Sequence, residues 1–309
     1  MNIRSSEMIG ERVMSTRNFR GGIDAGGTTF KCGIMDDKGN IVQKFRVKVS
    51  TPDETISSCI NFFRPVFETD RLSSFGIASF GPIDIDPRSS TYGTILQTPK
   101  PGWSLTDLKT AFGSAMGVPV RLDTDVNGAL RAEMAYGAAK HVDSAAYVTI
   151  GTGIGAGVFA NNQLLAHPHH PEFGHIPVNR HPLDSSFNSV CSYHEDCLEG
   201  LASATAVHAR AGDPSELPQD HPVWDVTADY LAQACRSLFL TARLNRIILG
   251  GGLMLAPHLL SRIHVEFVRQ MNGYLGMDYP IAEDLICTPA LGDDAGLIGA
   301  ILLGGDAEH

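Results

Sequence analysis

Gly21-Gly-Ile-Asp24-Ala-Gly26-Gly27-Thr28-Thr29-Phe30-Lys-Cys-Gly-Ile-Met-Asp36 reads as a strand, a tight glycine turn and a second strand, with Lys38-Gly39-Asn40 then turning into a third strand over Ile41 to Val49. The turn is the size of a phosphate group. A P-loop would continue as Gly-Lys-Ser/Thr into a helix, and a dinucleotide fingerprint would also open a helix; a strand follows here, so neither applies. Taken alone, the stretch is equally an ordinary Gly-rich hairpin. A second copy changes its weight: Ala145-Ala-Tyr-Val-Thr149-Ile-Gly151-Thr152-Gly153-Ile-Gly155-Ala-Gly157-Val-Phe159, followed by the Asn161-Asn162 hairpin. The same order of strand, glycine turn, strand and polar hairpin in both halves predicts a duplicated unit, and so two lobes and a cleft. Gly26, Gly27, Thr28 and Thr29 from one lobe, with Gly151, Thr152 and Gly153 from the other, can hold a triphosphate by backbone N–H groups without a basic side chain.

The chain has 309 residues, 43% hydrophobic and 19% charged, enough for a well-buried core in two lobes. A formal net charge of −10 leaves no basic stripe for a phosphate backbone, which argues against nucleic acid as a partner. Met1 to Arg20 mixes Arg4, Glu7, Glu11, Arg12 and Arg17 without a continuous apolar run. That predicts neither a signal peptide nor a membrane anchor, and the default location is the cytoplasm. Residues 1–18 read as a flexible extension, with Met14 as the alternative start.

Between the two copies, Thr51-Pro52-Asp53-Glu54 marks a helix start with a capping box, and Ile56, Ile60 and Phe63 form its core stripe. A buried strand over Phe75 to Phe80 runs into Gly81-Pro82-Ile83-Asp84, a strand end of the kind at which ligands sit in open α/β sheets. Thr91 to Trp103 reads as a loop whose tryptophan either closes the core or meets substrate. Val118 to Leu122 is a short strand, and Asp123-Thr124-Asp125-Val126-Asn127 leads into a helix running to Ala138. Either aspartate can be a helix N-cap, so the pair alone proves little. Further on, Ala202 to Ala211 and Val223 to Leu244 read as helices and Arg246 to Gly250 as a buried strand. That strand ends in Gly250, Gly251 and Gly252, where a flat adenine or ribose can come close to the backbone. Leu285 to Pro289 reads as a strand and Leu297 to Leu303 as the last helix.

Cys32, Cys59, Cys235 and Cys287 are scattered singly through apolar stretches and read as buried thiols. Cys191-Ser-Tyr-His194-Glu-Asp-Cys197 is different: two thiols and an imidazole at this spacing can converge on one tetrahedral zinc ion. His175, in Glu172-Phe-Gly-His175, can be the fourth ligand, and His167, His169, His170 and His181 are the alternatives. A closed site of four protein ligands is structural, and it would fix Glu172 and Glu199 on either side of the metal.

Taken together, these residues resemble the ROK family of sugar kinases, within the actin and hexokinase ATPase superfamily. The resemblance runs from Gly21 to the last helix. It rests on Asp24-Ala-Gly-Gly-Thr28, Asp125-Val-Asn127, Gly151-Thr-Gly153, Glu172-Phe-Gly-His175 and the Cys-rich loop ending in Cys197-Leu-Glu199. Ser79-Phe-Gly-Pro-Ile-Asp84, Thr91-Tyr-Gly-Thr-Ile-Leu-Gln-Thr-Pro-Lys-Pro-Gly-Trp103 and Cys191-Ser-Tyr-His-Glu-Asp-Cys197 are similar to the bacterial ROK fructokinases. Three positions depart from common patterns: Thr29 where Lys is usual, Thr124 where many members have Asn, and Thr98-Pro-Lys100 in place of a Pro-Asn-Leu segment of glucokinase-like members.

The resemblance implies an α/β fold of two ribonuclease H-like lobes: residues 19–122 with 291–309 as the small lobe, and 123–290 as the large lobe carrying the zinc loop 172–199. It implies a homodimer and transfer of the γ-phosphoryl of MgATP to a hexose, fructose before glucose or mannose. Asp125 is the expected general base, with Asp123 as the competitor. Asp24 is the expected magnesium residue, acting through water. Gly81, Pro82, Asn127, Asp125, Glu172, His175 and Glu199 are the expected sugar contacts. A sugar-responsive repressor of the same family is the rival reading, but residues 1–18 are too few for a helix-turn-helix ahead of the first strand.

Overall fold

The computed structural model describes residues 18–69, 71–98 and 100–305. The expected extension, the Met14 alternative, Pro99 of the Thr98-to-Lys100 segment and the end of the 291–309 segment therefore lie outside the described residues, in whole or in part. The first sheet is built from β1 (Asn18–Ala25), β2 (Thr29–Met35), β3 (Ile41–Lys48), β4 (Arg71–Ser79) and β5 (Val120–Thr124), in the order β3-β2-β1-β4-β5. The second contains β6 (Ala145–Ile150), β7 (Ile154–Ala160), β8 (Gln163–Leu164), β9 (Arg246–Gly250) and β10 (Ile286–Cys287), in the order β10-β9-β6-β7-β8. Read from the hairpin edge the two orders are identical. In each, the first three strands pair antiparallel and the next two join in parallel. The expected duplication is thus present in topology, and it follows from chemistry: a turn of two to five residues forces an antiparallel neighbour, and a helical crossover leads to a parallel one.

Helices cover these sheets. α1 (Pro52–Thr69) and α2 (Leu108–Met116) pack on the first; α4 (Leu198–Ala202), α5 (Ala204–Ala211), α6 (Val223–Ala242), α7 (Pro257–Met271) and α8 (Tyr279–Leu285) belong with the second. Two others, α3 (Asp125–Tyr136) and α9 (Ala295–Gly304), lie at the seam: α3 packs on β6 and β7, α9 on β1 and β4, and the two pack on each other. Their approach is set by glycine. A Cβ on Gly299 would lie 1.7 Å from the Gly128 carbonyl oxygen. Buried Glu133 of α3 adds a polar tie, accepting from Ala138 N–H (2.6 Å) and from Ala290 and Leu291 N–H (3.1 and 2.9 Å) at the entry to α9. No helix among the described residues is long and apolar enough to cross a membrane.

Several sequence boundaries move, for local reasons. The helix expected over Ala202 to Ala211 is two, because Ser203 leaves helical geometry and its Oγ caps α5 by accepting from Ala206 N–H. The capping box at Thr51 is replaced in part: the Glu54 carboxylate takes the Ser50 hydroxyl at 2.8 Å. The strand expected over Leu285 to Pro289 shrinks to Ile286–Cys287 because α8 runs to Leu285. The short strand before Asp123 continues to Thr124, so Asp123 is a strand residue and Asp125 the first of the helix. Trp103 is fully buried, donates to the Ser50 carbonyl and packs on Phe30 and Phe80, so of its two readings it takes the core one.

Gly299→Ala should destabilise the protein by about 3 kcal/mol or more, since overpacking against backbone cannot be relieved by a rotamer change. Chemical denaturation of the purified variant checks this; a midpoint equal to that of the parent would mean α3 and α9 are not locked together.

Candidate functional site

The two glycine turns end corresponding strand pairs. In the first, Gly26 N–H donates to the Thr29 carbonyl at 3.1 Å, leaving Gly27 and Thr28 exposed. In the second, Gly151 N–H donates to the Gly153 carbonyl at 2.9 Å. The start of α5 steadies it: Ala204 N–H and the Thr205 hydroxyl donate to the carbonyls of Gly151 and Thr152, both at 2.8 Å. The third glycine run follows β9. Gly251 sits at φ +89° with no room for a side chain, since a Cβ would lie 2.4 Å from the Ile150 carbonyl oxygen. Gly252 beyond it is exposed and borders a cavity of about 350 Å³ whose wall includes Trp224, Leu253, Leu255, Pro257 and His258. Both His258 ring nitrogens are buried without a protein partner. Sequence reading placed the glycines but missed this wall, which comes from α6 and α7 as well as the strand end.

The β5–α3 junction separates the two aspartates by environment. Thr124 is the N-cap, its Oγ accepting from Asn127 N–H at 3.2 Å. Asp123 is 7% exposed, and its Oδ1 accepts from Thr124 N–H and from the Asn127 side-chain amide, both at 2.7 Å. Asn127 is therefore turned inward onto Asp123, 2% exposed, where a sugar contact was expected. Asp125 is half-buried and accepts only the local Val126 N–H at 2.9 Å. Loss of hydration, and then the charge of Asp24, raise the Asp125 carboxyl to about 7. Burial also raises Asp24, against the pull of Lys31, whose Nζ lies 3.3 Å from the Asp24 carboxylate. A carboxyl that is partly open, unpaired and poised near neutrality is suited to accept a proton; a buried one holding two donors is not.

The structure brings His175, Cys191, His194 and Cys197 together, with ligand atoms all within 4.8 Å of one another. The Nδ1 atoms of His175 and His194 lie 3.8 and 3.7 Å from Cys191 Sγ. His175 arrives on a 3₁₀ turn over Phe173–His175, and an antiparallel bridge between Pro177 and Cys197 draws the two ends of the loop together. Two thiols and two imidazoles at such separations fit a tetrahedral zinc. The flanking carboxylates part company. Glu172 is largely exposed, 3.2 Å from the His170 ring. Glu199 reaches under the second glycine turn and accepts from Ile154 N–H at 2.9 Å, tying the Cys/His loop to that turn.

Sequence reading also missed the polar frame behind this loop. Arg180 donates to the carbonyls of Asp184, Phe187 and Glu195 and to the Asp196 carboxylate. Asp184, 5% exposed, is gripped by Arg210 at 2.8 and 2.7 Å and by the Tyr230 hydroxyl at 2.7 Å. No local spacing marks partners so far apart in the chain.

Known proteins share this organisation. Residues 20–306 match the ROK family. The chain is 40% identical to a fructokinase of Zymomonas mobilis over 307 residues, covering 96% of this chain and all of that one. It is 39% identical to a fructokinase of Pediococcus pentosaceus over 284 residues, covering 92% and 96%. A ROK hexokinase of Thermus thermophilus superposes with a TM-score of 0.76 at 24% identity, covering 93% of this chain and 98% of that one; the two share the two-lobed actin-like sugar-kinase fold.

Because the Asp125 pKa is raised on folding, its contribution to stability is present at low pH and lost as pH rises through about 7. Asp125→Asn removes the charge and should melt higher than the parent at pH 8 but alongside it at pH 4. Thermal denaturation at the two pH values checks the sign; a variant less stable at pH 8 would show that the ionised carboxylate is well accommodated.

Proposed function

The chain belongs to the ROK family, and from that premise we propose that it is an ATP-dependent hexose kinase that phosphorylates D-fructose at a primary hydroxyl to give fructose 6-phosphate. The observation that carries the fructose assignment is the level of identity to fructokinases, about 40% over nearly the whole chain. Asp125, the open and poised carboxylate of the junction, supports the reading as a kinase.

A sugar hydroxyl is a weak nucleophile at neutral pH. Asp125 accepts its proton as attack proceeds, an effect worth roughly 10² to 10⁴ in rate, and Asp123 with Asn127 holds the junction in shape behind it. Gly26, Gly27, Thr28 and Thr29 face the phosphates from one lobe, and Gly151, Thr152 and Gly153 from the other. The Gly250 to Gly252 turn and the Trp224–His258 cavity take the nucleoside. Asp24 would hold magnesium, through water, and the ion would supply neutralisation of charge on the transferring phosphoryl group. Gly81, Pro82, Glu172, Glu199 and the second His175 nitrogen address the sugar. His175, Cys191, His194 and Cys197 would hold a zinc ion that keeps the loop folded and takes no part in the phosphoryl step. The lobes are residues 19–122 with 291–309, and 123–290; a homodimer and a cytoplasmic location complete the proposal.

Purified protein with MgATP should release ADP when fructose is added, with kcat/KM higher for fructose than for glucose or mannose and falling below pH 7 as Asp125 is protonated. Asp125→Asn should lose turnover by at least a hundredfold and still bind the sugar. ADP release with none of the three sugars would overturn the kinase assignment, whereas a preference for glucose would overturn only the choice of sugar.

Elemental analysis should find about one zinc per chain, the stoichiometry of one four-ligand set. Cys191→Ser should lose the ion and, with it, protection of residues 172–199 from proteolysis. A zinc-free protein with full activity would remove the metal from the scheme.

A further inference from the structure

The first glycine turn, Gly26-Gly27-Thr28 running into Thr29, has no cation of its own. Two residues further along β2, on the same face of the strand, stands Lys31. Strand register places it between Asp24 on β1 and Arg46 on β3, so the three form one row across the sheet. Lys31 Nζ lies 3.3 Å from the Asp24 carboxylate, 2.6 Å from Asp293 Oδ1 and 2.9 Å from the Asp293 carbonyl. The neighbouring row is Gly22, Gly33 and Lys44, and its two glycines lie beneath Ile301 and Leu297 of α9. Lys44 and Arg46 take Asp294 and Asp293, each at 2.5 Å. Asp293 therefore has a second cation of its own and does not depend on Lys31.

We propose that Lys31 is the positioning residue of the phosphate turn: it supplies from β2 the cation that the turn lacks, holding Asp24 in place between turnovers and pairing with the terminal phosphates of the nucleotide when magnesium takes Asp24. The proposal rests on the kinase reading above. Three facts support it. The protein carries a formal charge of −10, so a polyphosphate entering the cleft needs local positive charge. Lys31 is the cation in contact with Asp24, and its side chain keeps 19% of its surface open. The remaining anchors of Asp293 and Asp294 allow the Lys31 ammonium to move without releasing the start of α9. A long, flexible lysine suits such an exchange of partners better than a rigid guanidinium.

The test is binding of MgADP to the purified full chain without sugar, read by a fluorescent analogue, with fructose binding and melting temperature followed in parallel. Lys31→Met should weaken MgADP by tenfold or more and leave fructose affinity within twofold. Lys31→Arg should keep most of the affinity. Thr29→Lys in the Lys31→Met background should restore it by returning a cation to the turn. Arg46→Met, which loosens Asp293 without touching the turn, should bind MgADP within twofold of the parent. The proposal is overturned if Lys31→Met binds MgADP as the parent does. It is equally overturned if Lys31→Met and Arg46→Met lose nucleotide, fructose and melting temperature together, since that would leave Lys31 only a tie between β2 and α9. A parent that binds MgADP but transfers nothing to fructose would remove the sugar assignment and leave this one standing; a parent that binds no nucleotide would sink both.

Discussion

Close contact between α3 and α9 governs the rest of the molecule. Each helix packs on a different sheet, so the depth at which they cross sets how near the two halves come. Gly128 and Gly299 let the backbones touch, and Glu133 ties the incoming chain at Ala290 and Leu291 to α3. The same crossing places Asp125, first residue of α3, near Asp24, last but one of β1, with Gly296 at the start of α9 against the Asp24 carboxylate. A looser crossing would let water between the carboxylates and weaken the influence of each on the other. Packing in an apolar seam is thus the physical origin of a carboxyl poised near 7.

The cost of that arrangement is charge in a poorly hydrated place. Asp24 and Asp125 each resist ionisation, and one lysine is in contact with the pair, at Asp24. The protein spreads the remaining demand over Asp293, Asp294, Arg46 and Lys44 at the sheet edge, where water screens part of each charge. A cation and a polyphosphate arriving together would complete this balance rather than disturb it.

Most of the fold was legible because its signals are local. Glycine turns between alternating strands, a Thr-Pro-Asp-Glu helix start and a polar hairpin in each half specify neighbours within ten residues, and the duplication then implies the strand order. The Cys/His cluster was legible for the same reason, since Cys191, His194 and Cys197 lie within seven residues of chain. Choosing His175 over four other histidines was not a matter of spacing; the Pro177–Cys197 bridge and the Phe173–His175 turn decide it in space. Asn127 misled because an amide near an aspartate is equally a ligand group and a buried partner, and only the packed helix shows it facing Asp123. Asp184, Arg210 and Tyr230 were invisible because their pairing spans distant segments that share no pattern. Ser203 is the avoidable miss: a serine before Ala-Thr-Ala reads as an N-cap once a break is allowed there.

The polar frame behind the Cys/His loop bears on what an ion held there would do. If zinc alone shaped residues 172–199, the loop would need no further support, yet Arg180 binds three of its carbonyls and Asp184 is locked to Arg210 and Tyr230. The frame fixes the outer part of the loop to α5 and α6; the Cys₂His₂ cluster fixes the inner part, where His175 and Cys197 flank the entry to α4. Glu199, the second residue of α4, reaches the N–H that follows the second glycine turn. Any ion held by the cluster would therefore act on the second glycine turn through a short path: Cys197, the first turn of α4, Glu199, Ile154. The loop and the turn are one mechanical unit, so a sugar seated against His175 and a phosphate seated at Gly151 to Gly153 would be positioned by the same few atoms.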